Sequence, residues 1–154
     1  MSIQTVGIIG AGTMGNGIAQ ACATAGVHAI MVDISQAAVD KGLVTVAGSL
    51  ERLVRKEKIS DADKAAALAR IEGSTSYEDL KRADIVIEAA TENFDLKVKI
   101  LKQVDAMLAS GVIVASNTSS ISITQLAAVT GRADRFIGMH FFNPVPMMAL
   151  VEII

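Results

Sequence analysis

The stretch VGIIGAGTMG, residues 6–15, links an apolar strand to the start of a helix through a closely spaced set of glycines. Gly10 suits the tight turn, Gly12 leaves the backbone open to a ligand, and Gly15 lets the helix lie close to the strand. The first N–H groups of such a helix bind phosphate well, because they have no partner within the helix. A purely structural turn would show a similar pattern. The spacing and the preceding strand favour a dinucleotide pyrophosphate, with predicted contacts at Gly10, Ala11, Gly12, Thr13, Met14 and Gly15.

Apolar runs alternate with helical patterns along the rest of the chain. Strands that are separated by helices pair in parallel, because parallel neighbours need long crossover connections. Burial on both faces explains why the runs lack polar alternation. The sequence thus predicts an α/β fold with a Rossmann-like, doubly wound, mostly parallel sheet. Strands are predicted at TVGIIG, HAIMVD, ADIVIEAA, GVIVAS and RFIGMHFF, and helices at about 12–25, 36–58, 94–108 and after Ser122.

The second predicted strand ends at Asp33. A carboxylate at this position can accept hydrogen bonds from the hydroxyl groups of an adenosine ribose. No Arg or Lys follows Asp33 within the next several residues to bind a 2′-phosphate, and the carboxylate would repel such a group. The sequence therefore predicts NAD rather than NADP. The alternative interpretation is that Asp33 only caps the next helix.

A long helical arm is predicted over about residues 36–72, from one long helix and a second piece through DADKAAALARI. The first helix would be roughly 35 Å long, which is more than a crossover requires, so its C-terminal half should extend beyond the sheet. That half carries polar and basic side chains, for which two interpretations remain open: a solvated charged surface, or a surface that binds a phosphorylated ligand. These side chains are Ser49, Arg52, Arg55, Lys56 and Lys58.

The composition limits the class of protein and of partner. The 154 residues are enough for one domain, and 51% of them are hydrophobic, which suggests that part of the surface is normally covered. A net charge of -2 offers no basic excess, so neither nucleic acid nor a membrane is expected as a partner. The start lacks a secretory signal pattern, and a cytoplasmic protein is expected. The single cysteine, Cys22, has no metal-ligand spacing around it, so no metal site is predicted.

The segment MHFFNPVPMMALVEII, residues 139–154, places a histidine and an acidic residue on either side of a proline-containing corner. His140 ends a predicted strand, at the edge of the sheet where the glycine-rich turn lies. The corner would turn the chain so that ALVEII returns as an antiparallel strand, with Glu152 next to His140. A carboxylate in this position orients the imidazole ring and stabilises its protonated form, which suits a general base. The alternative is a core histidine without a chemical role.

A second polar segment, SNTSS at residues 116–120, follows the predicted strand GVIVAS. Capping of the next helix could explain these residues, but Ser122 with Gln125 three positions later already supplies a cap. The hydroxyl groups before Ser122 are therefore free to bind a substrate or a cofactor.

Four segments together resemble one known family. VGIIGAGTMGNGIAQACATAG, IEAATENFDLKVKIL, ASNTSSISIT and DRFIGMHFFNPVPMMALVEII are similar to the NAD-binding domain of the 3-hydroxyacyl-CoA dehydrogenases, and most of all to the bacterial 3-hydroxybutyryl-CoA enzymes. The resemblance extends along essentially all 154 residues. It implies NAD-dependent interconversion of an L-3-hydroxyacyl-CoA, of short chain such as 3-hydroxybutyryl-CoA, and the 3-ketoacyl-CoA, as in fatty acid β-oxidation.

The resemblance also implies roles for individual residues. At the positions that match the family, the resemblance implies that His140 is the catalytic base and Glu152 its carboxylate partner. It also implies that Ser119 contacts both substrate and cofactor. It also favours ligand binding over a merely solvated surface for the helical arm. The implied NAD contacts, besides the glycine-rich turn and Asp33, are Glu92, Lys97, Ser119 and Asn143, and the implied acyl-CoA contacts are Ser49, Lys56 and Ser119.

The resemblance further implies an all-helical second domain, which closes the substrate cleft, supplies a catalytic asparagine and forms most of a dimer interface. This chain ends at Ile154, inside a predicted strand. We therefore expect one NAD-binding domain over 1–154 without that helical domain, from a parent that forms homodimers. Two alternatives stay open: an isolated NAD- and CoA-binding module, and a structural protein comparable to lens lambda-crystallin. Another hydroxyacid dehydrogenase of the same fold is disfavoured by the basic arm and the HFFNPVP segment.

Overall fold

The computed structural model describes residues 2–154 and arranges their strands in one seven-stranded sheet. These strands are β1 (Thr5–Ile9), β2 (His28–Val32), β3 (Ile71–Ser74), β4 (Ile85–Glu88), β5 (Ile113–Ser116), β6 (Phe136–Phe141) and β7 (Val151–Ile153). Their order is β3-β2-β1-β4-β5-β6-β7, and all neighbours are parallel except the antiparallel pair β6 and β7. The predicted Rossmann-like, mostly parallel sheet is confirmed.

Helices connect the strands, and all α-helices of residues 2–154 except the first begin at a polar side chain. Each of these side chains accepts a hydrogen bond from the N–H group three residues later, and the predicted cap at Ser122 is among them. No helix within residues 2–154 has both the length and the apolar character needed to cross a membrane. The helices are α1 (Thr13–Thr24), α2 (Gln36–Arg55), α3 (Asp61–Ala69), α4 (Phe94–Met107) and α5 (Ile123–Ala128), and the capping residues of the last four are Ser35, Ser60, Asn93 and Ser122.

Apolar layers cover both faces of the sheet, as continuous apolar strands require. Ile8 of β1 faces α1 and packs in a cluster with Ile18, whereas its neighbour Ile9 packs in the other cluster with Leu101 of α4. These four side chains are at most 1% exposed. Full burial of such a side chain contributes about 1.5–3 kcal/mol relative to exposure. The central strands are thereby fixed, and their carboxyl ends lie at one edge.

The helical arm differs from the prediction at its C-terminal end. Helix α2 ends at Arg55 rather than at about 58, because Glu57 adopts a positive φ of 57° after the C-cap residue Lys56. Helical structure stops at the end of α3, and Ile71–Ser74 pair with β2 as an edge strand. The predicted arm to about residue 72 was therefore wrong at its end. Gly73 permits this packing, since a Cβ there would lie 2.5 Å from Val39 Cγ1.

The C-terminal half of α2 packs on other helices. Val46 and Leu50 are fully buried against Ala23 of α1 and Ala67 of α3. This small cluster is separate from the two clusters on the sheet. Apolar packing on α1 and α3 therefore fixes the position of the basic C-terminal end of α2.

Arg132, just before β6, binds the C-terminal end of α4. Its Nε donates to Asp105 Oδ1 at 2.5 Å, and its remaining nitrogens donate to main-chain carbonyl groups. The side chain is only 7% exposed. The last carbonyl groups of a helix have no partner within it, so this one guanidinium replaces a helix cap. The accepting carbonyl groups belong to Asp105, Leu108, Ala109 and Val112.

We expect Arg132→Met to lower the free energy of unfolding by about 3–5 kcal/mol, because it leaves Asp105 unpaired and the carbonyl groups without donors. Urea unfolding followed by circular dichroism measures the loss. Arg135→Met is the matched control, because Arg135 is exposed and lies nearby. Equal stability of the two variants would contradict the role assigned to Arg132.

The carboxylate of Asp105 makes part of this stability depend on pH. Burial raises the pKa of Asp105, but hydrogen bonds from the Gly131 N–H and from Arg132 outweigh burial, and the net pKa lies below its ordinary value. Such a group stabilises the fold above its unfolded pKa of about 3.9, and the contribution is lost as pH falls through the folded pKa. Asp105→Asn should therefore be less stable than the parent near neutral pH, and the difference should shrink below about pH 4. Unfolding across a pH series tests this, with exposed Asp134→Asn as control.

Candidate functional site

The carboxyl ends of the parallel strands form one edge of the sheet, where ligands of such folds bind. The glycine-rich turn follows β1, Asp33 follows β2, and the SNTSS segment follows β5. His140 lies near the end of β6. The fold thus collects at one edge the residues that the sequence singled out at different points of the chain.

The glycine-rich turn has the geometry of a phosphate cradle. Gly10 has a φ of 108°, and a Cβ there would lie 2.8 Å from the main-chain oxygen of Ala89. A Cβ on Gly15 would lie 1.9 Å from the main-chain oxygen of Gly10, so the start of α1 touches the end of β1. Above Gly12 there is open space, and α1 begins there without a side-chain cap. Free N–H groups beside open space fit a pyrophosphate.

Asp33 closes the turn next to this cradle. One carboxylate oxygen accepts the N–H of Ala11 at 3.1 Å, and the other accepts the N–H of Ser35 at 3.1 Å. Ser35, and not Asp33, is the N-cap of α2, so the capping alternative for Asp33 is not supported.

A cleft of about 610 Å³ begins at Asp33, which is an ordinary size for a site that holds a nucleoside. Gly10 and Asp33 line the cleft, and α4 contributes Leu96 to its wall. Two further lining residues, Ile34 and Tyr77, were not singled out by sequence reasoning. Ile34 is 81% exposed, an unusual environment for an apolar side chain. In the sequence, the only signal for it is an apolar residue directly after Asp33, where the predicted strand has already ended.

Beneath the surface lies a buried charged pair. Lys97 is 1% exposed, and its ammonium group binds Glu88 Oε1. Ser116 donates to the same oxygen at 2.8 Å, and the other oxygen accepts the N–H of Ala90 at 2.8 Å. The network joins the ends of β4 and β5 through their side chains. Direct contact of Lys97 with NAD stays a prediction, and the structure places this side chain below the site.

Glu92 lies near the end of the connection from β4 to α4, directly before the N-cap residue Asn93. One of its carboxylate oxygens accepts hydrogen bonds from the hydroxyl groups of Thr118 at 2.8 Å and Ser120 at 3.1 Å. Ser119, between these two residues, is exposed, and its hydroxyl has no hydrogen-bond partner within residues 2–154. The expectation that the hydroxyl groups before Ser122 are free for a ligand is therefore wrong for Thr118 and Ser120, which are bound to Glu92 on both sides of Ser119.

His140 and Glu152 lie opposite each other on β6 and β7, as predicted. His140 Nδ1 is 3.8 Å from Glu152 Oε1, which is within ion-pair distance and longer than a hydrogen bond. The side chains are 21% and 57% exposed. The ring of Phe142 lies against that of His140, with 4.5 Å between centroids. The histidine is therefore a partly exposed group held by a carboxylate and an aromatic ring.

The corner after β6 is anchored on α1. Val145 is 5% exposed, and a Cβ on Gly17 of α1 would lie 2.9 Å from Val145 Cβ. Asn143 is exposed and precedes Pro144 through a cis peptide bond. Its contact with NAD stays a prediction.

The residues predicted to contact CoA lie on the C-terminal half of the arm. Ser49 is half-buried on α2, and Lys56 is the exposed C-cap of the same helix. Glu51 pairs with Lys64 at 2.6 Å and with Arg55 at 3.5 Å, whereas Lys56 has no ion-pair partner within the described residues. They lie on a different element from His140 and Ser119, and their role stays a prediction.

Comparison with known proteins identifies close relatives. Residues 5–154 match the family described as "3-hydroxyacyl-CoA dehydrogenase, NAD binding domain". Curated relatives include the 3-hydroxybutyryl-CoA dehydrogenases of Bradyrhizobium diazoefficiens, 49% identical over 99% of this chain, and of Clostridioides difficile, 46% identical over 96%. Each match covers 52% of the relative, so the chain spans about half the length of the curated relatives it matches.

Solved structures agree with this assignment. The crystal structure of (S)-3-hydroxybutyryl-CoA dehydrogenase PaaH1 from Ralstonia eutropha is 76% identical and superposes with a TM-score of 0.97, over 99% of this chain and 54% of that one. The structure of FadB2 from M. tuberculosis is 39% identical, with a TM-score of 0.96 over 99% of this chain and 54% of that one. The prediction of an NAD-binding domain of this family is confirmed at the level of the family.

Two glycine substitutions should separate cofactor binding from folding. Gly12→Ala should fold normally, since its φ of -70° suits alanine and the space is open, but should weaken NADH binding about tenfold, or about 1.4 kcal/mol. Gly15→Ala should instead lower the melting temperature, because its Cβ would collide with the main chain. Fluorescence titration with NADH and thermal unfolding measure the two effects. Unchanged NADH affinity in Gly12→Ala would contradict the cradle.

Proposed function

The chain belongs to the family of 3-hydroxyacyl-CoA dehydrogenase NAD binding domains, and on that premise we propose that it carries the cofactor site and the proton-transfer pair of such an enzyme. The reaction is the interconversion of an L-3-hydroxyacyl-CoA and a 3-ketoacyl-CoA with NAD. The names of the relatives favour a short-chain substrate, 3-hydroxybutyryl-CoA.

The observation that carries this proposal is the His140–Glu152 pair at the same sheet edge as the glycine-rich turn. In the oxidative direction, His140 takes the proton of the substrate's 3-hydroxyl group. Nδ1 faces Glu152, so Nε2 is the nitrogen available for that proton. Glu152 stabilises the imidazolium that results. Bound NAD supplies the acceptor for the hydride that leaves C3, and in the reductive direction the proton returns from His140.

Ser119 is proposed to orient the reacting oxygen. Its hydroxyl is exposed, whereas its neighbours Thr118 and Ser120 are held by Glu92. Because the Ser119 hydroxyl has no hydrogen-bond partner within the described residues, it can bind a ligand without first breaking a hydrogen bond of the protein. The same tied loop would keep Glu92 near the cofactor.

The basic end of α2 is proposed to bind the CoA moiety. Lys56 is exposed and carries a charge that no carboxylate of the described residues neutralises within ion-pair distance. CoA carries phosphate groups, which attract such a cation. Ser49 lies seven positions earlier on the same helix, two turns away and on the same side.

A second candidate is a domain that binds NAD and CoA but transfers protons slowly by itself. Glu152 is 57% exposed and 3.8 Å from His140, so the pair is neither shielded from water nor hydrogen-bonded. Electrostatic stabilisation of an imidazolium is weaker in contact with water than in a dry site. This observation favours binding with low turnover over full catalysis by residues 1–154.

One experiment distinguishes these candidates. Acetoacetyl-CoA is added to the purified chain and NADH, and NADH oxidation is followed by absorbance. Turnover supports the enzyme, whereas NADH binding without turnover supports the binding domain. Absence of NADH binding would contradict both.

We expect His140→Ala to lower turnover roughly 10²- to 10⁴-fold, because the general base is lost, while NADH affinity changes less than about twofold. His28→Ala is the matched control, since His28 is exposed at the start of β2. Equal turnover of the two variants, or loss of NADH binding in His140→Ala, would contradict the assignment.

A further inference from the structure

The ladder between β5 and β6 stops before β6 does. The last paired residues are Ser116 and Gly138, whereas β6 continues to Phe141 and contains His140 in this unpaired end. The end of β6 therefore needs another contact to hold it beside β5.

The direction in which each main-chain N–H and C=O group of β6 points follows from the pairing of β6 with β7. Gly138 exchanges two hydrogen bonds with Ile154, at 2.9 and 3.0 Å. Hydrogen-bonded and non-hydrogen-bonded pairs alternate in an antiparallel ladder, so His140 is again bonded to the β7 side and Phe141 is not. The N–H of Phe141 thus points toward β5, where a continued parallel ladder would offer the carbonyl of Thr118.

Asn117 takes the place of that carbonyl. Its Oδ1 accepts the N–H of Phe141 at 2.8 Å, while its own N–H donates to the main-chain oxygen of Glu88 at 2.9 Å. The residue is 8% exposed. Asn117 therefore ties the end of β6 to β4 across the end of β5.

The substitution of a side chain for a main-chain carbonyl has two effects. It leaves the carbonyl of Thr118 out of the ladder, in a loop whose Thr118 hydroxyl donates to Glu92. It also inserts the length of a carboxamide between the two backbones, which separates the loop of Ser119 from the strand that carries His140. The space between these two residues is where the substrate oxygen must lie if the proposed reaction is right.

We propose that Asn117 is a positioning residue: it sets the separation between the Ser119 loop and His140 through its hydrogen bond to the Phe141 N–H. This inference deepens the proposed function and rests on it for its catalytic consequence. The hydrogen bond and its effect on the position of His140 can be tested without turnover.

The main variant is Asn117→Leu, which keeps the side-chain size and removes the acceptor. Asn117→Asp keeps an oxygen acceptor for the same N–H. Thr130→Val is the matched control, because it removes side-chain hydrogen bonds to the main chain of Ala127 and Arg132 before β6, at the opposite end of that strand. Phe141→Pro removes the same bond from the donor side, at a position that pairs with Val151 without a hydrogen bond to β7. Its His140 ring signals test the proposal if Asn117→Leu does not fold.

The measurements are amide hydrogen exchange at Phe141, the NMR signals of the His140 ring, NADH affinity, and kcat and KM for acetoacetyl-CoA. In Asn117→Leu, exchange at Phe141 should accelerate about tenfold or more, and the His140 ring signals should shift. Its kcat should fall up to roughly 10²-fold, as misplacement by about 1 Å does, with NADH affinity within about threefold. In Phe141→Pro, the His140 ring signals should shift in the same way. Asn117→Asp should retain slow exchange and most of the activity, and Thr130→Val should match the parent.

Unchanged Phe141 exchange and His140 signals in Asn117→Leu would overturn the proposal, and so would equal losses in Asn117→Asp and Asn117→Leu. If the parent chain binds NADH but shows no turnover, amide exchange at Phe141 and the NMR signals of the His140 ring still test the role of Asn117. If the parent does not bind NADH, the proposed function fails, and the hydrogen bond of Asn117 is judged by exchange alone.

Discussion

The start of α1 lies so close to the end of β1 that only glycine fits at the contact. A Cβ on Gly15 would lie 1.9 Å from the main-chain oxygen of Gly10. This approach fixes the helix against a strand in the middle of the sheet, between β2 and β4. It also leaves the first N–H groups of α1 without a side-chain cap at the edge where the other strands end. The site is built around these donors, and Asp33 is tied to the same turn through the N–H of Ala11.

Where the parallel ladders end, side chains replace the main chain as the connections between strands. A buried ion pair carries a desolvation cost that is offset only if the remaining polar atoms are satisfied. Glu88 meets this condition, because its oxygens accept hydrogen bonds from Lys97, Ser116 and the Ala90 N–H. Asn117 then connects the next strand. The loops of the site are therefore held from below by polar contacts, and their upper side stays free for ligands.

Burial decides which parts of this structure can be predicted from the sequence. Strands buried on both faces need continuous apolar runs, so β1, β2, β4 and β5 are recognisable, and capping serines mark helix starts. Strand β3 is not recognisable, because IEGS is a short edge strand in which no residue is fully buried. The role of Arg132 is not recognisable for another reason: apart from Asp105, its partners are main-chain carbonyl groups, which no residue pattern records. A resemblance carries over residue types but not burial, so it could suggest Lys97 as a ligand contact without indicating that its side chain is enclosed.

The pairing of His140 with Glu152 depends on a strand of three residues. Neighbouring residues of a strand point to opposite faces, so a slip of β7 by one position would turn Glu152 away from His140. A strand this short has few ladder contacts that fix its register. The anchor lies before it, where Val145 packs on α1 opposite Gly17. The helix whose first turn leaves N–H groups uncapped therefore also supports the corner that leads to the His140–Glu152 pair, and one element positions both parts of the candidate site.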